Sequence, residues 1–184
     1  TGTVWVTGGA LFATNSNVDT LVGGGGYGRL VISNGDVRLN HINIASNTAV
    51  GAQGTLEMFG GTLTVLSSNS LIIGKATSGT GIVSIINATL YGTNASIGVG
   101  EKGVGKLTTS NAASRVRRLL VGYGTNSFGE AVMGPSSSLE VFQDSVVGGA
   151  LNGTGRVSFV GSSLLLTNGT LMIGTNSGYG EVWV

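Results

Sequence analysis

The chain has 184 residues, a net charge of +1, 41% hydrophobic and 9% charged residues, 34 glycines, one proline and no cysteine. The missing cysteines exclude disulfides, thiolate metal sites and a cysteine nucleophile, and the near-zero charge offers no electrostatic attraction for nucleic acid or an anionic membrane. Glycine without abundant proline excludes collagen, the apolar content excludes a disordered chain, and no stretch reaches the roughly 18 apolar residues of a membrane span.

The first element is Gly2-Thr3-Val4-Trp5-Val6, a glycine with apolar residues two and four places on. Alternation with period two predicts a strand that has one face in and one face out. The phrase returns at Gly28, Gly54, Gly81, Gly105, Gly129, Gly155 and Gly180, at steps of 26, 26, 27, 24, 24, 26 and 25 residues. The inward pairs are Val4/Val6, Leu30/Ile32, Leu56/Met58, Val83/Ile85, Leu107/Thr109, Ala131/Met133, Val157/Phe159 and Val182/Val184. Seven units of about 25 residues fill the chain and an eighth begins as it stops. No unit this short buries a core alone, so the period predicts one elongated stack rather than separate domains.

Within the unit from Gly54, Leu63/Val65 and Leu71/Ile73 form two further alternating runs after Leu56/Met58. Gly60-Gly61, Ser67-Ser68-Asn69 and the stretch from Gly74 to Gly81 read as turns. The third run ends in an apolar residue plus a small one: Val22-Gly23, Ile44-Ala45, Ile73-Gly74, Ile97-Gly98, Val121-Gly122, Val147-Gly148 and Ile173-Gly174. Glycine there supplies a left-handed turn. Three strands of about four residues per unit predict an all-β parallel β-helix of about seven coils over residues 1–184. Each strand pairs with its counterpart one coil away, and the rod is roughly 34 Å long. Crossover chirality favours a right-handed winding. Neither a β-sandwich, which needs no such period, nor a propeller, whose blades need about 40 residues, fits as well.

This register makes the residues one place after each anchor stack outward: Thr3, Arg29, Thr55, Ile82, Lys106, Glu130, Arg156 and Glu181. The last four alternate in sign, a charge ladder of the kind that stabilises neighbouring strands by about 0.2–1 kcal/mol per pair. Trp5 and Trp183 stand at the outward position three after the anchor, where they either make a lateral or ligand contact or pack under a neighbouring loop. Arg115-Val116-Arg117-Arg118 reads as a solvated basic patch, too small for a nucleic-acid footprint.

Catalytic chemistry finds little to work with. Glycoside hydrolysis needs two carboxylates within about 5–9.5 Å, and Asp19, Asp36, Glu57, Glu101, Glu130, Glu140, Asp144 and Glu181 are the whole acidic inventory. No spacing among them sets a pair around a groove, and no long insertion interrupts the coils to build a cleft. His41 is the only histidine and forms no metal cluster; no cofactor is implied. Gly23-Gly24-Gly25-Gly26-Tyr27-Gly28 lacks the helix and acidic residue of a dinucleotide loop, and reads as an inter-coil turn. The turns lack the aspartate of a calcium-binding β-roll. The sequons at Asn87, Asn94, Asn152 and Asn168 are expected by chance in so Asn-, Ser- and Thr-rich a chain, and the asparagines read as turn residues. The isolated pair Thr62/Thr64 argues against an ice-binding ladder.

The phrases from Gly2 to Gly9, Val22 to Gly35, Leu71 to Gly74 and Gly178 to Val184 resemble repeats of bacterial autotransporter passengers and of PEP-CTERM-anchored surface proteins. The resemblance covers essentially the whole chain. The units from Gly105 and Gly129 depart most, with Thr109 and Ala131 at core positions and Pro135 in a turn. The resemblance implies a secreted or surface-displayed solenoid used as stalk, fibre or adhesive, and supplies no catalytic residues. The leading expectation is therefore a non-catalytic extracellular rod, continued axially by further coils or by stacked copies of itself. The alternative is a glycan- or cell-surface-binding passenger that uses Trp5, Trp183, Tyr27, Tyr123 and Tyr179. A polysaccharide lyase or hydrolase comes third. The chain starts without Met and inside a repeat phrase, which reads as an excerpt or a processed product; it shows no signal peptide.

Overall fold

The computed structural model describes residues 1–16, 18–47, 51–68 and 71–184; Asn69 of the expected turn Ser67-Ser68-Asn69 lies outside them. Among the described residues there is no helix, and the strands stack in parallel as a β-solenoid of about seven turns. The first strands of the coils form one eight-stranded sheet: Gly2–Thr7, Tyr27–Ser33, Gln53–Phe59, Thr80–Ile86, Val104–Ser110, Phe128–Met133, Thr154–Phe159 and Tyr179–Trp183. Its register is the one the anchors predict, with each anchor glycine opposite the next along the whole sheet. The units from Gly105 and Gly129 keep it too, with Leu107 opposite Ala131 and Thr109 opposite Met133. Thr109 stays buried by directing its Oγ1 at the Met133 sulfur, 3.4 Å away.

The second and third strands share a single twelve-stranded sheet. In most coils they are separate, as in Thr62–Val65 and Leu71–Ile73. In the units from Gly81 and Gly105 they run together, as Thr89–Val99 and Ala113–Val121. This corrects the expectation of three short strands in every coil. The fused strand also moves a turn. Ile97 pairs with Leu71 and Val99 with Ile73, so the strand ends at Val99-Gly100 rather than Ile97-Gly98. Gly100 carries the left-handed φ of +74°, and Gly98 is a strand residue facing outward opposite Ile72.

The turn glycines Gly23, Gly74, Gly122, Gly148 and Gly174 all have positive φ, as expected. The equivalent Ala45 adopts φ +55° despite its Cβ, a conformation that costs an L-residue about 1–2 kcal/mol. The anchor glycines have a different reason to be glycine, since none has a positive φ. A Cβ on Gly28, Gly54, Gly81, Gly105, Gly129, Gly155 or Gly180 would sit within 3.0 Å of the backbone N of the turn residue that ends the preceding third strand. The coil closes by passing that turn directly against the anchor. At Gly2 nothing lies within 4 Å of the equivalent position.

Inward side chains of all three strand types merge into one apolar column, with Ile32, Leu56, Met58, Leu63, Ile73 and Ile85 fully buried. The turns carry asparagines at positive φ: Asn34, Asn87 and Asn111 at one corner, and Asn126, Asn152 and Asn176 in the loops that lead to the next coil. Asparagine tolerates this region because its short amide bonds nearby backbone or a neighbour. Here the neighbour is the next coil: Asn111 Nδ2 donates to Asn87 Oδ1 at 2.8 Å, and Asn152 Nδ2 donates to Asn126 Oδ1 at 3.1 Å.

Candidate functional site

The outward rows of the first-strand sheet carry the expected charge ladder. Lys106 pairs in register with Glu130, Glu130 with Arg156, and Arg156 with Glu181. Ion pairs form at 3.3 Å from Lys106 Nζ to Glu130 and at 3.1 Å from Arg156 Nε to Glu181. These partners are half-exposed, so their worth is small and salt-screened. Replacing Glu130 with Lys would set three cations in a row, and is expected to cost about 1 kcal/mol by chemical denaturation. Added salt should shrink that loss; a loss that ignores salt would mean the ladder is not electrostatic.

A second set of charges on the second-strand face is not visible from the anchors. Arg38 pairs with Asp36, and Arg115 Nε donates to Glu140 at 2.7 Å, which raises the Arg115 pKa through the hydrogen bond first and the charge second. The basic run of Arg115, Arg117 and Arg118 is less solvated than expected. Val116 points into the core, Arg117 bonds Ser96 Oγ at 3.2 Å, and Arg118 Nε bonds the Asp144 carbonyl at 3.0 Å.

Trp5 and Trp183 are 61% and 64% exposed. They sit in the first and last strands of the same sheet, seven spacings or roughly 34 Å apart. The fold therefore does not bring them into one patch. Arg29 lies over the Trp5 ring at 5.4 Å and is itself held by Glu57. Tyr27 stands beside the Trp5 end and Tyr179 beside the Trp183 end, where Tyr179 bonds Glu181. Only Tyr123 of the five aromatics lies in mid-rod. His41 opens the strand His41–Ile44, partly buried, and among the described residues no group of three metal-ligating side chains forms.

The feature that sequence reading missed lies on the outside of the third strands. Their outward row is Leu21, Asn43, Ile72, Gly98, Leu120, Val146 and Met172, largely apolar where the first-strand face is polar. Gly98 is a gap in this row. A parallel row is formed by the residue after each turn, and in three successive coils it reads Lys75, Glu101 and Tyr123. Between the rows runs a groove of about 210 Å³, with Ile72, Gly98 and Leu120 as its floor. The Tyr123 side chain lies across the gap, so that a Cβ on Gly98 would be 2.7 Å from the Tyr123 hydroxyl. Burial, and then the Glu101 charge, push the Tyr123 phenol above its ordinary pKa. The groove opens into a trough of about 410 Å³ lined by Thr77, Lys102, Gly124 and Thr125. The misplaced Ile97-Gly98 turn concealed all of this, because it took the floor of the groove for a loop.

Glu101 is singular in its bonding. Asp19, Asp36, Glu57, Glu130, Glu140, Asp144 and Glu181 each have a polar or cationic partner. Glu101 Oε2 is buried and has no hydrogen-bond partner among the described residues.

Comparison with protein-family models, with curated proteins and with solved structures finds no match.

Proposed function

We propose that this chain is a structural, non-catalytic β-solenoid segment, a length of rod in a secreted or surface-displayed bacterial protein of the autotransporter or PEP-CTERM-associated kind. The observation that carries the reading is a single apolar column that runs through every coil in one parallel register. The inward position two after the anchor is 52% exposed at Val4, but 4% at Leu30 and 0% at Leu56. At the other end Ile173 is 48% exposed where its neighbour Val147 is 0%. Solenoids hide such faces with caps or with more coils, since open core and unpaired strand edges invite aggregation.

The two terminal coils differ in shape. At the far end Tyr179–Trp183 lies one layer above the sheet edge formed by Ser163–Leu166 and Leu171–Ile173. The result is a ledge one strand deep. A further coil fills it strand by strand in the order second, third, first. A flat first coil of another copy would leave a gap of about 4.8 Å on two of the three faces. A coil of the same period fills the ledge without that gap.

Lengthening the chain by one period tests this. A second copy of residues 160–184 appended after Val184 is expected to fold onto the ledge. It should bury Ile173 and raise the thermal midpoint by several degrees, because each repeat adds an interface to its neighbour. An appended coil that stays unfolded by hydrogen exchange, with no rise in midpoint, would overturn the reading. Surface display is checked by digestion of the full-length protein on intact cells with added protease.

A further inference from the structure

The groove between the Ile72–Gly98–Leu120 row and the Lys75–Glu101–Tyr123 row is not explained by a rod. An unpartnered buried carboxylate oxygen is costly, and such groups in folded proteins call for a ligand or water that satisfies them. Nothing in the coil requires an acid there. The equivalent position is Lys75 one coil before, Tyr123 one coil after, and Gly149 two coils after. The glycine at 98 is likewise dispensable for the strand, since its neighbours in the row are Ile72 and Leu120. Its effect is to make room for Tyr123 and a concave floor.

We propose that this groove is a saccharide-binding site, in which a sugar hydroxyl donates to the Glu101 carboxylate while the ring's C–H face lies against Tyr123 and Leu120. The charges select this class. A cationic ligand would meet Lys75 and Lys102, which line the groove and its trough. A bare anion such as phosphate would meet the Glu101 carboxylate. A hydroxyl satisfies both, because it donates to a carboxylate and accepts from an ammonium at the same time. Tyr123 supplies an apolar ring whose negative π face suits polarised C–H groups. A concave apolar floor with a few convergent polar groups is the ordinary form of a small-ligand site. The site lies in the middle of the rod, so it stands whether or not the ends are continued.

The test is a titration of the folded chain, followed by amide chemical shifts, with two sets of tetrasaccharides: neutral hexose oligomers and uronic acid oligomers. Saturable shifts at Gly98, Glu101 and Tyr123 with either set support the proposal, and the set that binds identifies the sugar as neutral or acidic. Glu101→Gln keeps the shape and removes the charge, and is expected to weaken binding at least tenfold. Tyr123→Ala is expected to abolish it. Trp5→Ala and Tyr179→Ala should leave it unchanged. No shift from either set at about 10 mM, weaker than any specific site of use, overturns the proposal. So does binding that survives both groove substitutions in chains whose circular dichroism is native.

Discussion

Substituting Gly105 or Gly129 with alanine is expected to unfold the solenoid or to cost more than about 3 kcal/mol, whereas Gly2→Ala should cost less than about 0.5 kcal/mol. All three glycines occupy the same place in the repeat. At Gly105 an added Cβ collides with the backbone N of Gly100 and the carbonyl oxygen of Ile73; at Gly129 it meets the carbonyl oxygen of Val99 and the backbone N of Gly122. These are backbone atoms fixed by ladder hydrogen bonds. Gly100 N bonds Ile73 O at 2.8 Å and Gly122 N bonds Val99 O at 2.8 Å, so the collision breaks the pairing that joins one coil to the next. Gly2 has open space there. The comparison separates close approach from the general cost of changing glycine, which would be the same at all three. Equilibrium denaturation of the three variants checks it. Equal losses at Gly2 and Gly105 would sink the explanation.

Truncating Ile85 to alanine is expected to cost about 2–5 kcal/mol, since it removes a fully buried side chain from the middle of the column and leaves a cavity. Truncating Val184, which is wholly exposed, to alanine should be within about 0.5 kcal/mol of neutral. A solenoid is close to one-dimensional, with each coil stabilised by its two neighbours. Hydrogen exchange should therefore be slowest in Thr80–Ile86 and Val104–Ser110 and fastest in Gly2–Thr7 and Tyr179–Trp183. In the Ile85 variant protection should fall first in the coils that flank the cavity. Uniform loss along the rod would mean that the chain unfolds as a single unit, and that the coil is not the element of stability.

Much of the architecture was legible because a repeat multiplies a weak signal. One glycine with apolar residues two and four places on says little. The same phrase at every anchor from Gly2 to Gly180 specifies strand, face and register together, and the pairing of Lys106 with Glu130 and of Arg156 with Glu181 follows from it. Where the repeat changed its local form, the reading slipped. Val99-Gly100 and Ile97-Gly98 are both an apolar residue followed by glycine, and choosing between them needs the partner strand. Only pairing with Leu71 and Ile73 decides it. The fused strand Thr89–Val99 carries a register shift between Gly92 and Ser96 that lengthens it by an amount no local pattern records.

The candidate site was illegible for a related reason. Lys75, Glu101 and Tyr123 are 26 and 22 residues apart, and neither spacing is conspicuous beside the other charges. They become neighbours because each follows the turn that ends a third strand, and successive turns stack at one coil spacing. The sequence by itself determined the period and the inward faces, because those depend on hydrophobic alternation that local residues carry. Only the tertiary structure decided which glycines are tight for lack of space rather than for φ. It also decided which carboxylate oxygen is buried without a hydrogen bond among the described residues and which gap in an outward row becomes a groove. Those properties belong to the distance between backbones a coil apart, which is set by the packing of the whole column and by no single stretch of chain.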